Sequence, residues 1–258
     1  MTAAGRLAVV GLGPGPAEMM TGEALAAVER AGDLFGYGPY LARLALREGQ
    51  VAHGSDNREE LARAKAALAL AAQGREVAMV SGGDPGVFAM AAAVCEAVEA
   101  GPVAWRGVEV AVVPGVTAML AVAARVGAPL GHDFCALSLS DNLKPWEVVE
   151  ARLRAAAGAG FVLALYNPVS RARPWQLGRA FEVLRDVLPG EVVVVFGRAV
   201  GRADEAVRVV RLDEAEAGMA DMATCVIVGS RETRVVERPG REALVYTPRS
   251  LGMAGAQE

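Results

Sequence analysis

Short apolar runs that stop abruptly at clusters of glycine and proline set the rhythm of the first half of the chain. Residues 7–10 (LAVV) feed the turn GLGPGP at 11–16, the pattern of a buried parallel strand. Thr21 is placed to cap a helix over 22–31 through its hydroxyl, and Gly32 to end it. Residues 33–37 read as a second short strand, and the Ala-rich stretch 58–73 as a helix stopped by Gly74. A strand over 77–80 runs into SGGDPG at 81–86. A helix over 87–100, a strand over 108–113 and the segment PGVT at 114–117 follow. Alternation of strand, glycine turn and helix predicts an α/β fold on an open, mostly parallel sheet, with ligands beyond the carboxyl ends of its strands. The three turns all fall at such ends, so they are expected to converge on one crevice.

The second half has a different texture. Strands are predicted over 134–139, 161–165, 191–196, 207–212, 224–228 and 243–246, with helices over 146–157 and 176–187. Fewer helices separate these strands, which predicts a mixed sheet. The expected division is therefore an α/β domain over 1–120 and a second one over 121–258, with the boundary inside 118–130.

Composition narrows the picture. Hydrophobic residues make up 53% of the 258 residues but aromatics only 5%, so the cores should be aliphatic and closely packed. A formal net charge of −4 gives no general reason to bind nucleic acid or an anionic membrane; an anionic small molecule would need a local basic patch. The apolar tract 108–130 is broken by Pro114, Gly115, Arg125 and Gly127 and does not read as a membrane span. The opening residues are too short and Gly-rich in their apolar part for a secretory signal, and Cys95, Cys135 and Cys225 form no CxxC pair. A cytoplasmic protein with reduced thiols and no iron–sulfur cluster is expected.

Familiar chemistries drop out one by one. A dinucleotide fingerprint needs a third glycine where Pro16 stands, and Asp33 starts the second strand rather than ending it. There is no Gly-Lys-Ser/Thr of a P-loop and no G-x-S-x-G elbow. The only histidines, His53 and His132, lie in no metal-ligand spacing and read as structural or solvated. What remains suits a group-transfer enzyme whose cosubstrate carries the reactivity.

GLGPG at 11–15, SGGDPGVFAM at 81–90 and VPGVTA at 113–118 resemble the three signature segments of the tetrapyrrole methylase family, in the family's order. The resemblance implies two α/β domains of that type with the donor in the cleft between them, usually in a homodimer. It implies S-adenosyl-L-methionine as cosubstrate and S-adenosyl-L-homocysteine as product. Carried over by position, the donor site takes Pro14, Gly82, Gly83, Asp84, Val87, Thr117 and Ala118 from the first half. Tyr166, Asn167, Gly197 and Thr224 join them from the second. Two of these have a plainer reading: Asp84 as a turn-former before Pro85, and Thr117 as the cap of a following helix.

GAPLGHDFC at 127–135, LSLSDNLKPWE at 137–147, LYNP at 165–168, DMATCVIVG at 221–229 and TPR at 247–249 resemble the family members that act at C-17 of a precorrin. In those members methylation accompanies contraction of the macrocycle. Pro16 and Ser230-Arg231 depart from the family pattern. Asp141, Ser140, Lys144 and His132 are the candidates for supporting ring contraction. For Ser140 and Asp141 a helix N-terminus built from Ser, Asp and Asn competes with that role. The acceptor carries several carboxylates, for which Arg125, Lys144, Arg171 and Arg173 are the candidate partners. Methylation at another carbon or of uroporphyrinogen III, and tetrapyrrole binding without catalysis, are the rival readings.

Overall fold

The computed structural model describes residues 5–56, 59–170 and 172–250. The chain divides into two compact units, Met1–Ala118 and Met119–Glu258.

The first unit is built on β1 (Arg6–Gly11), α1 (Gly22–Arg30), β2 (Asp33–Tyr37), α2 (Gly38–Leu41), β3 (Val51–Ser55), α3 (Glu60–Ala71), β4 (Glu76–Ser81), α4 (Met90–Ala100) and β5 (Glu109–Val113). The strands form one parallel sheet in the order β3-β2-β4-β1-β5. Alternation along the central strands explains why their apolar runs are unbroken. Leu7, Val9, Val77 and Met79 pack against Ala64, Leu68, Val94 and Ala97 of α3 and α4. Ala8, Val10, Ala78 and Val80 face Ala24, Ala27 and Val28 of α1 on the other side. Both faces of the sheet are covered, so neither needs polar positions.

The second unit contains α5 (Ala118–Val126), β6 (Gly127–Ala128), β7 (Phe134–Ser138), α6 (Trp146–Gly158), β8 (Val162–Tyr166), α7 (Gln176–Arg185), β9 (Val193–Arg198), β10 (Ala206–Arg211), β11 (Thr224–Val228), β12 (Arg234–Arg238) and β13 (Arg241–Tyr246). Its main sheet runs β10-β9-β11-β8-β7, with only β7 and β8 parallel. A smaller sheet joins the hairpin β12-β13 to β6. Leu153, Leu177, Phe181 and Leu184 from α6 and α7 bury one face of the main sheet against Leu163, Leu165, Phe196 and Val226.

Several expected boundaries move for identifiable reasons. The helix expected from 87 starts at Met90, because Phe88 has φ +53° and Ala89 is extended. The helix expected over 58–73 covers Glu60–Ala71, and Arg58 lies outside the described residues. Thr21 caps α1 as expected, accepting from Ala24 N, but the helix stops because Ala31 turns extended rather than through a left-handed Gly32. Strand β3 was not expected: VAHGS is an edge strand with mostly solvated positions and little apolar signal. Among the described residues no helix is long and apolar enough to cross a membrane.

Candidate functional site

In the first unit, strand register places Gly11 beside Ser81 and Val10 beside Val113. All three glycine turns therefore leave the sheet at its carboxyl edge. The chain passes from β1 into α1 on one face and from β4 into α4 on the other. Turns one and two thus diverge, which is where a parallel sheet opens a ligand crevice.

The turns are tied to one another through backbone. Gly13 N donates to Gly83 O (3.1 Å) and Gly83 N to Gly13 O (3.0 Å). Both glycines have positive φ, +64° and +68°. A Cβ on Gly115 would lie 2.3 Å from Gly83 O, so the third turn presses against the second closely enough to require glycine. Asp84 links them: Oδ1 accepts from Gly86 N (2.8 Å) and Oδ2 from Gly115 N (3.0 Å). Its turn-forming role is thus visible, with further lone pairs left for a ligand. Val87 N donates to Asp84 O. Pro14 lies in the first turn, Gly82 and Gly83 in the second, and buried Thr117 leads into Ala118, the first residue of α5.

Two residues that the sequence left unremarked back these turns. Arg43 Nη2 donates to the carbonyls of Leu12 (3.0 Å), Gly13 (3.1 Å) and Gly15. The Tyr40 ring stands where a Cβ on Gly82 would come within 2.8 Å of it. Nothing in the pattern around Arg43 marks it, because its partners are backbone groups roughly thirty residues earlier in the chain.

In the second unit, pairing of Val226 with Leu165 and of Cys225 with Gly197 brings Tyr166, Asn167, Gly197 and Thr224 to one end of the sheet. Tyr166 Oη accepts from Met119 N at the start of α5 (3.0 Å). Asn167 adopts φ +53° and donates through Nδ2 to Ser138 Oγ (2.9 Å). The absent side chain of Gly197 is used for packing, since a Cβ there would meet Val122 of α5 at 2.2 Å. Thr224 is buried; its hydroxyl donates to Asp221 Oδ1 (2.9 Å) and accepts from Asp221 N (3.0 Å). Burial pushes Asp221 upward, but Arg198, Thr224 and the Ala223 N–H together hold it below the usual carboxylate range.

The same sheet end carries the loop after β7. Asp141 Oδ1 accepts from Arg173 Nη1 (2.5 Å) and from Gln176 Nε2 (2.9 Å). Lys144 Nζ donates to Ser140 O (2.8 Å), so Ser140 enters through its carbonyl as well as its hydroxyl, which accepts from Asn142 N. Burial, then the charge of Arg152, lowers the Lys144 ammonium from its ordinary value despite Asp141. Asp141, Ser140, Lys144 and Arg173 therefore form one cluster. The competing idea that Ser140 and Asp141 cap a helix is overturned: the residue capping α6 is Pro145, with no side-chain bond.

His132 and Arg125 do not join that cluster. His132 Nδ1 accepts from Asp133 N (2.7 Å) before the amino end of β7, the opposite end of that strand from Ser140. Arg125 is held bidentately by Glu205 (2.6 and 3.3 Å), a pairing that raises Arg125 and lowers Glu205. Arg171 lies outside the described residues. Asp33 and His53 form a separate pair at 2.8 Å, with Asp33 at the amino end of β2, away from the turns. Gln176, only 2% exposed, was missed; a polar residue within the apolar stripe of α7 was the available signal. Among the described residues no three His, Cys, Asp or Glu side chains are grouped to hold a metal ion.

A parallel sheet with three interlocked glycine turns, followed by a mixed-sheet unit with a polar cluster at one sheet end, defines a two-unit α/β protein. Residues 6–216 match the family model for tetrapyrrole (corrin/porphyrin) methylases, and the chain belongs to that family. It is 67% identical to the precorrin-3B C(17)-methyltransferase of a Sinorhizobium species, over 98% of this chain and 99% of that one. The crystal structure of the methyltransferase CobJ superposes with a TM-score of 0.90 at 52% identity, covering 95% of this chain and 100% of the other. A Thermus thermophilus uroporphyrin-III C-methyltransferase complexed with S-adenosyl homocysteine aligns with a TM-score of 0.65 at 25% identity, over 87% of this chain and 97% of that one.

Proposed function

We propose that this protein is an S-adenosylmethionine-dependent methyltransferase of cobalamin biosynthesis that methylates C-17 of precorrin-3B, or of its cobalt-containing counterpart, with contraction of the macrocycle. The observation that carries this reading is identity of 67% along essentially the whole of a precorrin-3B C(17)-methyltransferase. The donor supplies a methyl group on a sulfonium, and its product is S-adenosylhomocysteine.

The residues present fit such a donor. The glycine turns bring backbone N–H and C=O groups to a surface without Cβ atoms in the way. Pro14, Gly82, Gly83, Asp84, Val87, Thr117 and Ala118 hold the donor, together with Tyr166, Asn167, Gly197 and Thr224. Because the Thr224 hydroxyl already donates its proton to Asp221, it serves a ligand only as an acceptor.

The acceptor is bound by Arg173 and Lys144. A carboxylate arriving at Arg173 competes with Asp141 for the same guanidinium and frees Asp141, still oriented by Gln176, to move a proton. Lys144, its ammonium easier to deprotonate than an ordinary lysine, polarises an acceptor oxygen. In this reading the protein works in the cytoplasm and as a homodimer, and light scattering on the eluting peak tests the dimer.

The deciding experiment incubates the purified chain with S-adenosylmethionine and, separately, precorrin-3B and its cobalt counterpart. Mass spectrometry and NMR of the product should show one added methyl at C-17 and a contracted ring. A methyl at another carbon, or an uncontracted product, refutes the assignment. Calorimetry with S-adenosylhomocysteine tests the donor separately.

A further inference from the structure

Arg43 sits just beyond α2, whose Leu41 is anchored in the first-unit core. Its backbone N–H donates to Tyr40 O (3.2 Å), so the side chain starts from a fixed base. From there one nitrogen, Nη2, reaches three carbonyl oxygens, those of Leu12, Gly13 and Gly15. That nitrogen carries two hydrogens for three acceptors, so at least one is shared. Three carbonyl dipoles that converge on one point repel one another unless a cation stands among them.

We propose that Arg43 is a positioning residue for the methyl donor: its charge, held among the three carbonyls of the first turn, fixes the backbone surface on which the donor lies. The inference rests on the assignment of these turns to donor binding. Gly13 is the middle carbonyl of the three, and it is also the residue whose peptide pairs in both directions with Gly83. The second turn in turn holds the third through Asp84 and Gly115 N. Loosening the first turn therefore propagates to every segment of the first unit assigned to the donor. Tyr40, within α2 itself, stands against the second turn at Gly82. The α2 segment and the residue just beyond it thus brace two of the turns.

What the turn needs is a cation at that point rather than a guanidinium fork. An ammonium offers three donors for three carbonyls. Arg43→Lys should therefore keep most of the function that Arg43→Met loses. Calorimetry with S-adenosylhomocysteine on wild type, Arg43→Met and Arg43→Lys reads this out, alongside steady-state kinetics. Arg43→Met is expected to weaken S-adenosylhomocysteine about tenfold or more, the scale of a lost charge-assisted contact. It should raise KM for the donor in step, with KM for the acceptor within about twofold of wild type and Arg43→Lys within about threefold of wild-type donor affinity. Wild-type affinity in folded Arg43→Met overturns the proposal, as does an acceptor KM that rises together with the donor KM. If Arg43→Met fails to fold, Arg43→Lys decides: retained affinity supports a cation among carbonyls, and a loss of about tenfold at unchanged Tm overturns it. Failure of the wild-type protein itself to bind S-adenosylhomocysteine would instead remove the donor reading.

Discussion

Both oxygens of the Asp84 carboxylate accept backbone N–H groups, one within its own turn and one in the next. Asp84→Ala is therefore expected to weaken S-adenosylhomocysteine about ten- to hundredfold through the geometry of the turns, following the cost of one or two lost charged hydrogen bonds. Calorimetry checks it, and unchanged affinity would show that the turns hold without the carboxylate. Asp84 was legible as a turn-former because a short acceptor before Pro85 acts on neighbours in sequence. Arg43 and Gln176 were not, because their partners are distant in sequence. His132 differs the other way: a histidine inside a matched segment lies at the end of β7 opposite Ser140, a separation that sequence adjacency does not reveal. Lys144 offers a direct chemical test, since Lys65 and Lys144 are the only lysines of the chain. With its ammonium lowered by burial, Lys144 should lose its proton, and so begin to react with an amine reagent, at lower pH than an ordinary lysine amine. Peptide mapping of Lys144 across a pH series, with a free lysine amide in the same tube as standard, reads its midpoint, and a midpoint no lower than the standard's would contradict the lowered value.

At the scale of elements, the packing of α5 on β9 depends on Gly197. A methyl group there would overlap Val122, so Gly197→Ala should cost about 1–3 kcal/mol of stability. Part of that should return in the double variant with Val122→Ala, a coupling that denaturant titration measures. Buried strands such as β1 and β4 were readable because their apolar runs are continuous. The start of α4 was not, because Phe88 at φ +53° is a conformation that no local preference of phenylalanine suggests. Strand β3 escaped for a third reason: at a sheet edge, half-solvated residues lose the apolar signature of a strand.

Across the whole molecule, arginines set the response to acid. Arg179, Arg198, Arg125 and Arg211 hold Glu150, Asp204, Glu205 and Asp213 below their ordinary values, and Asp221 ends low despite burial. A carboxylate depressed in the folded state stabilises fully above its unfolded pKa, and that stability drains away as pH falls through the folded one. Unfolding free energy should therefore be insensitive to these groups above about pH 5 and decline below about pH 4. Asp221→Asn should flatten part of the decline in denaturant titrations, and an identical slope in the variant would show that Asp221 does not contribute. Two α/β units and a mixed second sheet were readable from the spacing of strands. Which polar side chains meet was not, because register and crossover connections decide it.

The pairing of β13 with β6 brings Val245 beside Gly127, and the Thr247 hydroxyl donates to Pro129 O (2.6 Å). A ribosome delivers residues 127–129 long before 245–247. The nascent first unit holds all five of its strands once Val113 has emerged, whereas β6 must wait, unpaired, for almost the last stretch described. Synthesis thus imposes a fixed order, in which an arrested chain ending before β13 would present a finished first sheet and a second unit still lacking the strand that fastens its beginning.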